Sequence, residues 1–248
     1  MTTAVLDWGD EQLEMLPERA LWLPRRRWLL LADVHLAKAE HAQALGVPVP
    51  SDGGRADLGR LADLGRRLQP RRVFILGDLV HHPRAVTPAL EQQLQHTLAD
   101  LACPVTWIEG NHDRQRPLAG LRGEASQRRG GLWLSHAPEV APRGDWLNVC
   151  GHVHPVAVLA GTADRLRLPC FALVEQPPRL VLPAFGCLTG GQPASGIADQ
   201  WVVADGSVLR WPSPRRRWPR PLPRRPRGGG GDGPSSAPVT PCPPAAPG

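Results

Sequence analysis

The sequence predicts an α/β (α+β) fold, a two-sheet β-sandwich flanked by helices. Three observations predict it. The first half alternates apolar, strand-like runs with segments of helical period. The second half carries short strand candidates with no convincing helix between them. Five short motifs of His, Asp and Asn follow one another along the chain, most of them directly after an apolar run.

The elements follow in order. Ala20–Leu23 and Trp28–Ala32 read as strands around a turn at Pro24–Arg27. A helix is expected over 37–45, stopping at Gly46, and a loop at Val47–Pro50. Ser51 and Asp52 offer N-caps for a helix to about Leu68, apolar at 58, 61, 64 and 68. Arg72–Leu76 is a buried strand, Thr87–Leu101 a helix apolar at 90, 94, 98 and 101, and Val105–Ile108 the next strand. This alternation suggests βαβ units. Beyond it, strands are expected at Leu132–Leu134, Leu147–Cys150, Val156–Leu159, Arg165–Leu168, Phe171–Val174, Leu180–Leu182, Gln200–Ala204 and Val208–Trp211.

Composition bounds the domain organisation. Residues 1–211 form the expected folded domain. From Pro212 to Gly248 Arg-Pro repeats pass into a glycine run and then Pro/Ser/Ala, a composition that cannot form a core and reads as a disordered tail. That tail holds seven arginines and one aspartate, which accounts for the whole net charge of +6. A basic globular face therefore cannot be claimed from net charge, although the tail could add salt-sensitive affinity for nucleic acid. Five cysteines without CxxC spacing argue against a disulfide framework or a structural zinc site. No apolar leader is read in the first fifteen residues and no run is long enough to span a bilayer, so a cytoplasmic location without membrane association is expected.

Seven of the nine histidines fall in the five motifs: Asp33-Val34-His35, Gly77-Asp78-Leu79-Val80-His81-His82, Gly110-Asn111-His112-Asp113, Ser135-His136 and Gly151-His152-Val153-His154. Hydrolysing a phosphate ester at neutral pH needs an activated water and positive charge against the phosphoryl oxygens. Two divalent ions about 3.5–4 Å apart supply both. Such a centre needs a bridging carboxylate and separate ligands for each ion, and loops at the ends of adjacent strands can converge to provide them. Glycines 77, 110 and 151 suit sharp turns close to the ions. Oxygen and imidazole donors without thiolate suit Mn²⁺, Fe or Zn²⁺ without choosing among them. The single lysine, Lys38, three residues past His35, and Arg114 and Arg116 are candidate phosphate contacts. His41, His82 and His96 read as surface residues.

The order D-x-H, G-D-x-x-H, G-N-H-D, H, G-H-x-H over residues 33–154 resembles the calcineurin-like metallophosphoesterases. The resemblance implies that Asp33, His35 and His154 hold one ion, that Asn111, His136 and His152 hold the other, and that Asp78 bridges them. It implies that His112 is an unliganded catalytic residue, with Asp113 orienting it. A narrower resemblance spans most of residues 18–204. Arg19–Trp22, Leu31–Lys38, Leu76–His81, Gly151–Pro155, Arg167–Phe171 and Leu182–Gly186 through Thr189–Gly191 are similar to the bacterial ligase-associated DNA damage response endonucleases. That likeness implies a Mn²⁺-dependent nuclease on single-stranded DNA in repair, associated with a DNA ligase, a helicase and an exonuclease. It also makes His81 a candidate substrate contact. Two departures stand out: Ala37 replaces a glycine usual in the family, and the Arg-Pro tail lies outside its pattern. Two other readings are a phosphoesterase on a nucleotide, cyclic nucleotide or other small phosphoester, and a metal-free scaffold. The complete ligand set argues against the scaffold.

Overall fold

The computed structural model describes residues 2–50, 52–113, 117–141, 146–160, 165–193 and 196–211. The N-cap expected at Ser51, the phosphate contacts at Arg114 and Arg116, and the 212–248 tail lie outside the described residues.

The first sheet has seven strands in chain order: β1 (Ala4–Trp8), β2 (Glu11–Leu16), β3 (Ala20–Leu23), β4 (Trp28–Leu31), β5 (Arg72–Leu76), β6 (Val105–Ile108) and β7 (Gly123–Glu124). The first three pairings are antiparallel and the last three parallel. Parallel neighbours need crossovers. Here α1 (Lys38–Ala44) and α2 (Gly53–Leu68) join β4 to β5, and α3 (Pro88–Asp100) joins β5 to β6. Thr87 caps α3, its hydroxyl accepting from Leu90 N at 3.2 Å.

The second sheet is built from β8 (Gln127–Arg129), β9 (Leu132–Leu134), β10 (Leu147–Cys150), β11 (Val156–Ala160), β12 (Arg165–Glu175), β13 (Pro178–Val181), β14 (Asp199–Ala204) and β15 (Ser207–Trp211). Its order is β15-β14-β12-β13-β10-β9-β8, with β11 paired to β12 alone. Two strands expected at 165–168 and 171–174 are one. Pro169 lacks an N–H for a ladder, and it marks the residue where β12 exchanges partners: 165–169 pair with β11, 170–175 with β13 and β14.

Period-two alternation sorts the first sheet's side chains between two cores. Leu30, Phe74, Leu76 and Ile108 face the second sheet and meet Leu134, Val149, Phe171 and Leu180. Leu29, Leu31, Val73, Ile75 and Trp107 face the opposite way, toward Leu58, Leu61 and Leu64 of α2 and Leu90 and Leu94 of α3. Among the described residues, all helices belong to the first sheet's connections. The sheets are also joined at one edge, where Val208 N donates to Thr2 O at 2.8 Å. No helix is long and apolar enough to cross a membrane among the described residues.

Candidate metal centre

The strand ladders do not stop where the strands do. Beyond β4 and β5 the two chains stay side by side: Asp33 N donates to Gly77 O (3.2 Å), His35 N to Asp78 O (2.9 Å) and Leu36 N to Leu79 O (2.9 Å). This carries Asp33, His35 and Asp78 to one place. The second sheet does the same: Ser135 N donates to Val149 O and Gly151 N to His136 O, which sets His136 beside His152. Asn111 and His112 follow β6. The seven candidate ligands thus come from loops after β4, β5 and β6 of one sheet and β9 and β10 of the other.

Five of the seven sit on left-handed backbone: Asp33 (φ 55°), His35 (51°), Asp78 (47°), His152 (66°) and His154 (49°). Non-glycine residues visit this region rarely, and such strain concentrates at functional sites. In the D-x-H and H-x-H motifs the positive φ values fall on alternate residues. The glycines serve the site mainly by leaving space. Gly77 has φ 80°, whereas Gly110 and Gly151 need no unusual dihedral. A Cβ on Gly77 would strike the His136 ring, one on Gly110 the Asp78 carboxylate, and one on Gly151 the Asp33 carboxylate.

Two ligand clusters result, one of Asp33, His35 and His154, the other of Asp78, His136 and His152. In the first, Asp33 Oδ1 lies 3.3 Å from His154 Nε2, which lies 3.3 Å from His35 Nε2. In the second, His136 Nε2 lies 3.0 Å from His152 Nδ1, 2.9 Å from Asn111 Oδ1 and 3.5 Å from Asp78 Oδ1. Ligand bonds of about 2.0–2.2 Å at 90–110° put donors on one ion roughly 2.8–3.6 Å apart, and these separations match. Asp33 Oδ1 is buried with no hydrogen-bond donor, which is costly unless a cation is its partner. The donors present therefore fit divalent ions.

Hydrogen bonds set the ring states. His136 Nδ1 faces Leu76 O at 3.2 Å, so that nitrogen carries the proton and Nε2 presents its lone pair to the cluster. Burial holds the His35 imidazole far below its usual range, to about 2, and lowers that of His152, so both are neutral donors at pH 7. Both carboxylates also hold neighbouring loops. Asp33 Oδ2 accepts from His152 N (2.8 Å) and Asp78 Oδ1 from His112 N (2.9 Å).

His112 lies beside the clusters with Nε2 3.9 Å from Asp78 Oδ2 and Nδ1 2.9 Å from the His81 carbonyl. Asp113 does not orient that ring, contrary to the sequence-based expectation. Its carboxylate accepts from Gly110 N (2.8 Å), Val80 N (3.2 Å) and Trp107 Nε1 (3.1 Å). Burial raises its pKa to about 6. A side chain directed into its own loop cannot reach the imidazole of the preceding residue, so Asp113 positions the backbone that carries Asn111 and His112. The ring itself is held by the His81 carbonyl. Lys38 is half-buried at the start of α1, close enough to act on both His35 and His81.

One supporting segment escaped reading from the residues themselves. Phe185 N donates to Ala32 O (2.8 Å), Gly186 N to Asp33 O (3.1 Å) and Gln192 N to His154 O (3.1 Å), so residues 185–192 brace both loops of the first cluster. Asp57 of α2 anchors the segment by accepting from Cys187 N at 3.1 Å while pairing with Arg60 at 2.8 Å. The signal was present in Leu-Pro-Ala-Phe-Gly, where Gly186 admits no Cβ against the Val34 carbonyl.

Strand-end loops from both sheets of a sandwich, three from one and two from the other, meeting over paired His/Asp clusters, define a phosphoesterase centre, and comparison with known families agrees. The model of the calcineurin-like phosphoesterases matches residues 26–182, and the chain belongs to that family. The family's metal dependence suits the two clusters. Within it, the chain is similar to a nuclease of Pseudomonas putida, called MPE, whose crystal structure superposes with a TM-score of 0.69. Identity is 30% over 85% of this chain and all of that one. Vps29 of Entamoeba histolytica, at 16% identity over 74% of this chain and 96% of its own, superposes with a TM-score of only 0.36. No curated protein matches.

Proposed function

We propose that this protein is a metal-dependent phosphodiester hydrolase with two divalent ions, and that its substrate is single-stranded DNA. The observation that carries the reading is Asp78, which turns Oδ1 to one cluster (3.5 Å from His136) and Oδ2 to the other (3.7 Å from His35). A single carboxylate shared in this way is what a bridged pair of ions requires. Asp33, His35 and His154 would hold one ion, and Asn111, His136 and His152 the other. Bound there, the ions would lower the pKa of a water and neutralise the phosphoryl oxygens. Mn²⁺ is the proposed metal, with Fe and Zn²⁺ compatible with the donors.

His112 supplies the proton step. With Nδ1 donating to the His81 carbonyl, Nε2 points toward the Asp78 side of the clusters, placed to protonate the leaving oxygen. Asp113 keeps that loop in place, and Lys38 adds fixed positive charge. The likeness to the P. putida nuclease supports a nucleic-acid substrate. On this reading the protein works in DNA repair in the cytoplasm, in functional association with a DNA ligase, a helicase and an exonuclease.

The test is cleavage of single-stranded and duplex DNA with and without Mn²⁺, beside Asp78→Ala. Metal-dependent nicking lost in the variant supports the nuclease. Intact DNA, with Mn²⁺-dependent hydrolysis of bis- or mono-nitrophenyl phosphate, moves the assignment to a small phosphoester.

A further inference from the structure

Four imidazoles run outward from the reacting side of the centre. His112 stacks near His81, with ring centroids 5.2 Å apart and planes 24° from parallel. His81 meets the His41 ring edge-on at 5.4 Å, and His41 lies flat on His82 at 4.7 Å and 10°. His41, His81 and His82 are each half-buried. Two of them, His41 and His82, read as unremarkable surface residues in the sequence, being 41 positions apart. The fold pairs them because α1 packs against the turn that follows His82.

The surroundings of His81 favour an anion. The charged and chargeable groups that act most strongly on His81 are Lys38, His112, His41 and His82, all of them basic. Lys38 is the only lysine of the chain, and it starts the helix that carries His41. Flat rings beside a fixed cation match what single-stranded nucleic acid offers, a π-face on every base and a charge on every phosphate. The chain has no tyrosine, its three phenylalanines are buried, and so is Trp107, the tryptophan bonded to Asp113, which leaves imidazoles as flat rings on offer beside His112.

We propose that His41 and His82, with Lys38, form the track for the nucleotides flanking the scissile phosphate on the α1 side of the centre. A base stacks on the His41–His82 pair, and Lys38 holds a flanking phosphate. The proposal rests on the nuclease reading above and adds a place where the length of the strand is felt.

The experiment compares full-length, Mn²⁺-loaded wild type with His41→Ala, His82→Ala, His41→Gln, Lys38→Ala and Lys38→Arg. The substrates are bis(nitrophenyl) phosphate, a dinucleotide and a single-stranded oligonucleotide of about ten residues, within the site size of common single-strand binders. The expected result is a drop of about tenfold in the ratio of kcat/KM on the oligonucleotide to that on bis(nitrophenyl) phosphate for either His→Ala variant, the order of one lost stacking contact. The drop lies mainly in KM and is smaller on the dinucleotide. Lys38→Ala flattens the dependence of log KM on log salt by about 0.7, one phosphate's worth on a single strand, and Lys38→Arg restores it. His41→Gln, which keeps bulk and polarity without the ring, behaves as His41→Ala does if stacking is the cause. Unchanged ratios in folded His→Ala variants overturn the track. A wild type that cleaves no oligonucleotide overturns the nuclease reading instead.

Discussion

The His112 ring comes within 3.9 Å of the Asp78 carboxylate, yet removing these two side chains has opposite consequences for bound metal. His112 touches a loop carbonyl and a carboxylate edge, so His112→Ala keeps its metal and loses turnover by about 10²–10⁴-fold. Asp78 faces both clusters, so Asp78→Ala loses metal. Elemental analysis beside steady-state rates checks the pair, and metal lost from His112→Ala but kept by Asp78→Ala would reverse the roles. Ala37 makes a different prediction. It holds φ 62°, where a side chain is strained and glycine is at ease. Ala39, two residues on and equally buried, lies in regular helix. Denaturant unfolding of Ala37→Gly should therefore shift by less than about 0.5 kcal/mol, whereas Ala39→Gly costs about 1 kcal/mol or more. At this scale the residues that gather into the two clusters were legible because metal chemistry uses few residue types at fixed spacings. The hold on His112 was not, because a backbone carbonyl from residue 81 leaves no mark in the sequence.

Two ion pairs on α2 share the same i,i+3 spacing and differ in everything else. Asp63–Arg66 is a surface pair, its side chains about 70% exposed, and Asp63→Ala should leave the unfolding midpoint unchanged. Asp57 is buried and also accepts from Cys187 N, so Asp57→Ala strands that backbone donor and takes the carboxylate from Arg60, at about 1–3 kcal/mol. Because the anchored segment braces Asp33 and His154, the same variant should bind the first ion more weakly, measurable by competition with a chelator. Unaltered metal affinity would confine Asp57 to stability. Elements were legible where apolar period and punctuation agreed: α2, α3 and β4–β6 stand within a residue or two of expectation. β1 and β2 were missed because Asp7, Glu11 and Glu14 make the segment read as acidic. In fact Leu13 and Met15 alternate inward, and Glu11 is paired with Arg26. β7 and β8, two and three residues long, are too short to show a period.

Each ligand cluster takes donors from both sheets, so the centre lies on the seam of the sandwich. Ions bound there join the two sheets, and binding to the folded state alone stabilises it by RT ln(1 + [L]/Kd), about 2.7 kcal/mol at a hundredfold excess over Kd. Mn²⁺ should raise the thermal midpoint and a chelator should return it to the metal-free value. No shift on loading would mean that the clusters do not take the ion. The meeting of the sheets was inferred only as a fold class, since a seam is a property of packing that no local window of sequence contains. The carboxylates on that seam have a further consequence for anyone who needs an inert version of this protein to capture substrate. Asp33 and Asp78 secure the backbones of His152 and His112 as well as facing the clusters. Replacing either one unfastens a neighbouring loop, so a binding loss in such a protein would mix missing charge with altered shape. Withholding the metal, or substituting His112, silences the chemistry while leaving both fastenings closed, and gives the cleaner bait.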